Sequence, residues 1–243
     1  MEPTISVVMP VFNCAEYVGQ AIESILAQSF TDFELIIVDD GSTDDTIYQV
    51  KRYADPRISI CGVEYKKLSF GATAALNIGI SKVKGEFIAR QDGDDYSLPT
   101  RFERQAEYLY KNPMCKAVGT GIILANVSGR AYDTVQHFGH VTKYDLVNLW
   151  PCVAHPTIMM RAHVFNNVGS YDETIDYCED YDLWMRITEH YGDGSIHNLP
   201  EIQYVKREHD KTNTAKGKRN GLISLYNEMV LLKSKIRRKK NEI

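Results

Sequence analysis

Apolar residues recur along this chain in two rhythms, and the rhythms alternate. Ile5-Ser-Val-Val-Met-Pro10 is a short β-branched run closed by proline, the pattern of a buried strand. Val18, Ile22, Ile25 and Leu26 then fall on one face of a helix, with Asn13 placed to cap it. The pair repeats. A strand over Glu34–Val38 runs into Asp39-Asp40-Gly41-Ser42, and Ser42 or Thr43 can cap a helix to about Tyr53, with Asp44 and Asp45 at its positive end. A third strand over Arg57–Cys61 precedes a small-residue helix from about Gly71 to Lys82, and Glu86–Arg90 is a fourth strand. Alternation of this kind predicts an α/β fold with a mainly parallel central sheet covered by helices on both faces.

Beyond Pro99 a helix reads to about Lys111, where Asn112-Pro113 breaks it. From Lys116 the strands are short and weakly patterned until Glu179–His190, a helix with Leu183, Trp184 and Ile187 on its apolar side. From about Asn220 a last helix carries Leu222, Leu225, Met229, Leu232 and Ile236 at three-and-four spacing, and ends in the cationic run Lys233–Lys240. With no linker between the halves, residues 1–215 are expected to form one domain. Its nucleotide half is about 1–115 and its acceptor half 116–215, and 216–243 form a basic tail.

Composition narrows the class. At 243 residues, 44% hydrophobic and 25% charged, the chain is an ordinary globular one. It has no apolar run of the ~18–20 residues that a spanning helix needs and no secretory signal at Met-Glu-Pro-Thr, so a cytoplasmic protein is expected. Five scattered cysteines form no CxxC pair, which excludes a zinc knuckle and a disulfide framework. The net charge of −4 is unevenly spread. From Lys206 onward twelve Lys/Arg face four Asp/Glu, a balance of +8, whereas the preceding residues carry sixteen against twenty-eight, a balance of −12. An acidic body can hold cations and a basic tail can meet anions.

Ligands of such sheets bind beyond the carboxyl ends of the strands, and two acidic clusters stand there. Asp92-Gly93-Asp94-Asp95 puts three carboxylates in four residues, a density that a hard divalent ion relieves, although a turn or helix cap also explains it. Asp39-Asp40 could accept from a base or a ribose, or cap a turn. A P-loop, a GxGxxG loop after the first strand and a GxSxG elbow are all absent, excluding P-loop phosphotransfer, dinucleotide oxidoreduction and α/β-hydrolase chemistry. Acids at Glu179, Asp180 and Asp182 favour a helix start, and one of them could also serve as a general base.

These segments together resemble the inverting, non-processive family 2 glycosyltransferases of the GT-A (Rossmann-like) fold. The likeness lies in Val8-Met-Pro-Val-Phe-Asn13, Val38-Asp-Asp-Gly-Ser-Thr-Asp44, Ala74-Ala-Leu-Asn-Ile-Gly79, Ile88-Ala-Arg-Gln-Asp-Gly-Asp-Asp95, Leu98–Gln105, His155-Pro-Thr157 and Glu179-Asp-Tyr-Asp-Leu-Trp184, in family order. The resemblance implies a nucleotide-sugar donor, with UDP foremost and GDP and dTDP open, bound by Pro10, Phe12, Asn13, Asp39, Asp40, Asn77, Asp92 and Gly93. Phe12 and Asp40 would meet the base and Asp92 the ribose. It implies Mn²⁺ or Mg²⁺ on Asp94, with His209 completing the shell, and Asp180 as the general base. His155 and Glu179 would face the acceptor, a hydroxyl of a glycan or lipid-linked glycan in polysaccharide or cell-envelope synthesis; nucleic acid is not an expected partner. Ser69 stands where relatives carry Asn, and the QxxRW signature of processive members is absent. A nucleotidylyltransferase would want a basic Gly-rich loop in place of Pro10-Val-Phe-Asn13. A silent binding module would need no base. For the tail helix two placements are open, peripheral on the anionic inner face of a membrane or packed on the body.

Overall fold

A computed structural model describes residues 2–62, 71–149, 151–175, 177–210, 212 and 221–241. Ser69 and the 215/216 boundary lie outside these residues. Four strand–helix units come first: β1 (Ile5–Val11), α1 (Val18–Leu26), β2 (Phe33–Asp39), α2 (Thr46–Val50), β3 (Ile58–Gly62), α3 (Ala72–Ile80), β4 (Phe87–Arg90), a two-residue β5 (Tyr96–Ser97) and α4 (Arg101–Lys111). The second half adds β6 (Ala117–Ala125), β7 (Ala131–Val135), β8 (Gly139–Val141), α5 (Lys143–Asn148), a 3₁₀ turn at His155–Thr157, β9 (Met159–Arg161), α6 (His163–Val168), α7 (Glu179–Tyr191), β10 (Ile196–Arg207) and α8 (Leu222–Asn241).

All these strands join one sheet in the order β3-β2-β1-β4-β9-β6-β10-β5, with β7 on β6 and β8 on β10. The parallel sheet expected from the alternation is present over β3, β2, β1 and β4. The second half departs from it. β9 runs antiparallel to both β4 and β6, and β5 antiparallel to β10. β10 also shifts register between Asn198 and Tyr204, across Pro200, which has no N–H to give a ladder.

Period-two alternation sends side chains to two cores. Ile5, Val7 and Met9 of β1 and Phe87 and Ala89 of β4 pack with α1 and with Phe102 and Leu109 of α4. Val8 and Ile88 face the other way, onto Leu76, Met160, Trp184, Ile187 and Val230. The helices are therefore on both faces, as a strand buried on both sides requires.

Two local expectations are corrected. Asn13 does not cap α1, which starts five residues later behind Tyr17. Held at a φ of 48°, it turns across the sheet edge, and its Oδ1 accepts from the Thr43 and Asp44 N–H groups. Nor do Ser42 or Thr43 cap α2; Asp44 accepts from the Thr46 N–H and hydroxyl at its start. Burial would raise the Asp44 carboxyl, but the hydrogen bonds from Thr46 and Ala15 hold it below its ordinary value.

The last helix takes the second of its two open placements and packs on the body. The row Leu222, Leu225, Met229, Leu232, Ile236 is split by that packing: Met229 lies against the core, whereas Leu225, Leu232 and Ile236 are 60%, 58% and 48% exposed. Val230 and Ser234 are buried instead, with Ile223 and Tyr226 against the core. The reason is ionic. Asp182 of α7 is 1% exposed and Glu189 lies one helical face along; Arg237 reaches Asp182 at 3.0 Å and Glu189 at 2.8 Å, while Ser234 bonds Glu189. Buried carboxylates left without donors would cost more than three exposed aliphatics. No helix among the described residues is long and apolar enough to cross a membrane.

One side chain fixes the sheet edge. Arg101, fully buried, donates to the Arg90 and Ile158 carbonyls, to Gln91 and Gln105 Oε1 and to Ser97 Oγ. Arg101→Met would strand several buried acceptors at once. Urea unfolding should show a loss of roughly 3 kcal/mol. A loss under about 0.5 kcal/mol would mean that the network is not structural.

Candidate functional site

The strands β1, β2 and β4 all end at one edge, and their loops interlock there. The Asn13 N–H donates to Ser42 Oγ at 3.0 Å and Cys14 N–H to Thr46 Oγ1 at 2.8 Å, which ties the β1 loop to the β2 loop. Gly93 presses on the β1 loop. A Cβ there would meet Val11 Cγ1 at 2.7 Å and Cys14 Sγ at 3.0 Å, so only glycine lets the acidic loop lie so close. Pro10 is the sixth residue of β1, paired with Val38, and Phe12 follows the strand 42% exposed. The structure thus brings Pro10, Phe12, Asn13, Asp39, Asp40, Asp92 and Gly93 to a common edge.

Their side chains differ in what they are free to do. Asp39 is half-buried and accepts from the Ser42 N–H. Asp40 is buried and accepts from the Gly71 N–H at 3.1 Å, which anchors the positive-φ entry to α3 (φ 89°). Asn77 is engaged within the protein. Its amide closes a two-point clasp on the backbone of Tyr171, accepting from the N–H at 3.0 Å and donating to the C=O at 2.9 Å, with a further bond to Glu173. Asn77 thus joins the two halves of the chain.

The acidic loop is held by cations that the sequence pattern did not single out. Arg90 grips Asp92 through both guanidinium nitrogens, at 2.9 and 2.7 Å. Burial opposes that charge, and Asp92 more than offsets it, so Arg90 holds its proton more firmly than usual. The hydroxyl of Tyr204 accepts from the Asp92 N–H. Arg207 donates its N–H to Asp95 and a guanidinium N–H to the Asp94 carbonyl, and lies over the Tyr17 ring at 4.6 Å. Arg90 lies within the Ile88–Asp95 motif but has no expected role there, although a cation ending a strand buried throughout is itself a signal; Arg207 has none.

Asp92, Asp94 and Asp95 can bring one oxygen each to within 4.8 Å of one another. Burial and the two neighbouring acids push the Asp95 carboxyl well above its ordinary value. Asp94 Oδ2 lies 3.0 Å from His209 Nε2, and the imidazole stacks on Tyr17 at 5.2 Å. The structure thereby joins the two residues expected to hold a metal, although they are 115 apart in sequence. A carboxylate and an imidazole presented together, next to further carboxylate, fit Mn²⁺ or Mg²⁺.

A second cluster gathers at the start of α7. His155 is buried; its Nε2 is 2.8 Å from Tyr171 Oη, and its Nδ1 faces Glu179 at 3.9 Å and Asp180 at 4.0 Å. Burial, then the charge of Arg90, holds this histidine well below its usual pKa, so it is neutral. Burial pushes the Tyr171 hydroxyl well above its ordinary pKa, so it keeps its proton. Asp180 accepts from the Tyr181 N–H, yet burial and the charge of Glu179 push it up to about 8. A carboxyl whose pKa is drawn toward neutrality is, in its ionised form, a stronger base than an ordinary carboxylate. The neighbouring Asp182 instead binds Arg186 and Arg237 and is structural.

Comparison with known proteins places this geometry. Residues 6–169 match the model "Glycosyl transferase family 2". The chain is 37% identical over 211 residues to the O-antigen biosynthesis glycosyltransferase WbnJ of Escherichia coli, covering 86% of this chain and 81% of that one. The mannosyltransferase PcManGT of Pyrobaculum calidifontis, solved with GDP-Man and Mn²⁺, superposes with a TM-score of 0.70 at 17% identity, over 96% of this chain and 65% of that one. TarS of S. aureus, solved with UDP-GlcNAc, gives 0.69 at 23% identity, over 88% and 61%. The chain thus spans a little over three-fifths of these two solved chains, whose fold it shares.

The raised pKa of Asp180 has a measurable sign. Ionising it costs the folded state stability, a cost absent below the ordinary carboxylate pKa and complete above about pH 8. Asp180→Asn removes that cost. Melting curves should show the variant gaining on the wild type from pH 4 to pH 8.5; a pH-independent difference would contradict the assignment.

Proposed function

The chain belongs to glycosyl transferase family 2, whose members act on nucleotide sugars, and on that premise we propose that it is an inverting, non-processive transferase with Asp180 as its base. The donor is proposed to be UDP-linked and the acceptor a hydroxyl of a glycan or lipid-linked glycan. The observation that carries this reading is Asp180 itself, a proton-seeking carboxylate at the start of α7, aligned by neutral His155 and sharing Arg90 as an electrostatic neighbour with the acidic loop. WbnJ, an O-antigen enzyme by name, supports a surface glycan as product.

In the proposed reaction the acceptor oxygen attacks the anomeric carbon while Asp180 takes its proton. The new glycosidic bond forms as the bond from that carbon to the diphosphate breaks, and configuration inverts. Asp94 and His209 would hold Mn²⁺ or Mg²⁺, whose charge offsets that of the departing diphosphate. Arg90 keeps Asp92 in place for the ribose. Gly93 and the Asn13 tie keep Phe12 and Asp39 beside the base pocket. Asp40 acts there through its hold on Gly71. His155, with Tyr171 on its Nε2, turns Nδ1 toward Glu179 and Asp180 and so orients the base.

Two variants separate the roles. Asp180→Asn should lower turnover by at least ~10²-fold with donor affinity retained, as loss of a general base does. Near-wild-type turnover would remove Asp180 from the role. Asp94→Ala should abolish the Mn²⁺-dependent part of UDP binding in calorimetric titration, and unchanged affinity would count against that site. If UDP fails to bind the wild type with Mn²⁺ or with EDTA, the same titration with GDP and dTDP identifies the donor nucleotide.

A further inference from the structure

The packing of α8 turns an apolar row outward and leaves basic side chains beside it, and we propose that this face docks on an anionic lipid bilayer. Leu225, Leu232 and Ile236 follow one another at spacings of seven and four, a single file of about 16 Å along the helix. Lys235 and Lys239 flank the file and are exposed, Arg238 is exposed further round the helix where its Nε donates to the Ser234 carbonyl, and Glu228 is the acid among them. Lys233 and Arg237 are not available for this, because they bind Asp172, Asp182 and Glu189 of the body.

The occupant follows from area and charge. Three aliphatic side chains in single file offer far less than the ~800 Å² per partner of a stable protein interface, so a second copy gains little there. A bilayer interface asks for less: shallow insertion of a narrow apolar strip, with cations at headgroup level. The body of the protein is acidic, at −12 before residue 206, and an anionic membrane would repel it. The basic flank of α8 supplies the local attraction that the body lacks.

The placement also has a direction. Cys178 Sγ lies against the Ile223 carbonyl and Asn227 Oδ1 at the first turns of α8, while Ser234 and Arg237 meet Glu189 further along α7. The two helices therefore run side by side in the same sense, and the first turns of α8 adjoin the end of α7 that carries Glu179 and Asp180. A bilayer on the outer face of α8 lies about one helix diameter, ~10 Å, from that end. This suits an acceptor carried on a lipid, although the docking itself does not depend on the proposed reaction.

The test is sedimentation of the full chain with phosphatidylcholine vesicles, plain or containing about 40% phosphatidylglycerol. The wild type should pellet with the anionic vesicles alone and be released by salt. Lys235→Gln with Arg238→Gln and Lys239→Gln should weaken partitioning about a hundredfold, and Leu225→Ser with Leu232→Ser and Ile236→Ser should abolish it. Both triple variants change exposed positions, so unaltered melting temperatures confirm that they fold. Failure of the wild type to pellet, or pelleting of both variants like the wild type, overturns the proposal. So does a vesicle-free dimer in light scattering that the serine variant dissociates, since a second copy would then cover the face.

Discussion

The site depends on one buried guanidinium. Arg101 has no carboxylate beside it, and burial pulls its pKa down to about 10, yet each of its five N–H groups finds a neutral acceptor. Those acceptors belong to the end of β4, to β5, to α4 and to the turn before β9. The same side chain therefore fixes where the acidic loop leaves the sheet and where the His155 turn enters it. A lysine has three donors and no planar fork, and could not span these points.

Around that anchor, most acids near the edge have a donor of their own. Arg90 serves Asp92, the Arg207 N–H serves Asp95 and its guanidinium the Asp94 carbonyl, and Arg186 with Arg237 serve Asp182. Two carboxyls are nevertheless pressed toward protonation, Asp95 by burial and its acidic neighbours and Asp180 by burial and Glu179. Asn77 adds mechanical continuity. Its clasp on Tyr171 passes through the Tyr171 hydroxyl to His155 and so links the first half of the chain to the carboxylate pair of α7.

Much of this was legible in the sequence, and the reasons are local. The strands β1 to β4 and their helices follow from apolar periodicity, because strands buried on two faces and helices buried on one leave different spacings. The acidic loop and the Asp180 helix start followed from motif order within a family, as did the expectation that Asp94 and His209 act together; the structure puts those two 3.0 Å apart. What could not be read was any side chain whose partner is chosen by another segment. Asn13 looked like a cap and is a cross-edge tie. Nothing local to Asn77 announced its clasp on Tyr171.

The sequence by itself determined the fold class, the two acidic strand ends and the residues able to carry the chemistry, since these depend on patterns within a few residues. Tertiary structure alone decided that β9 lies antiparallel between β4 and β6, that Arg90, Arg101 and Arg207 hold the site together, and which side of α8 faces outward. Periodicity left open whether that helix met a membrane or the body. Asp182 and Glu189 decided which side turns inward, because a buried carboxylate demands a donor more strongly than an exposed leucine demands cover.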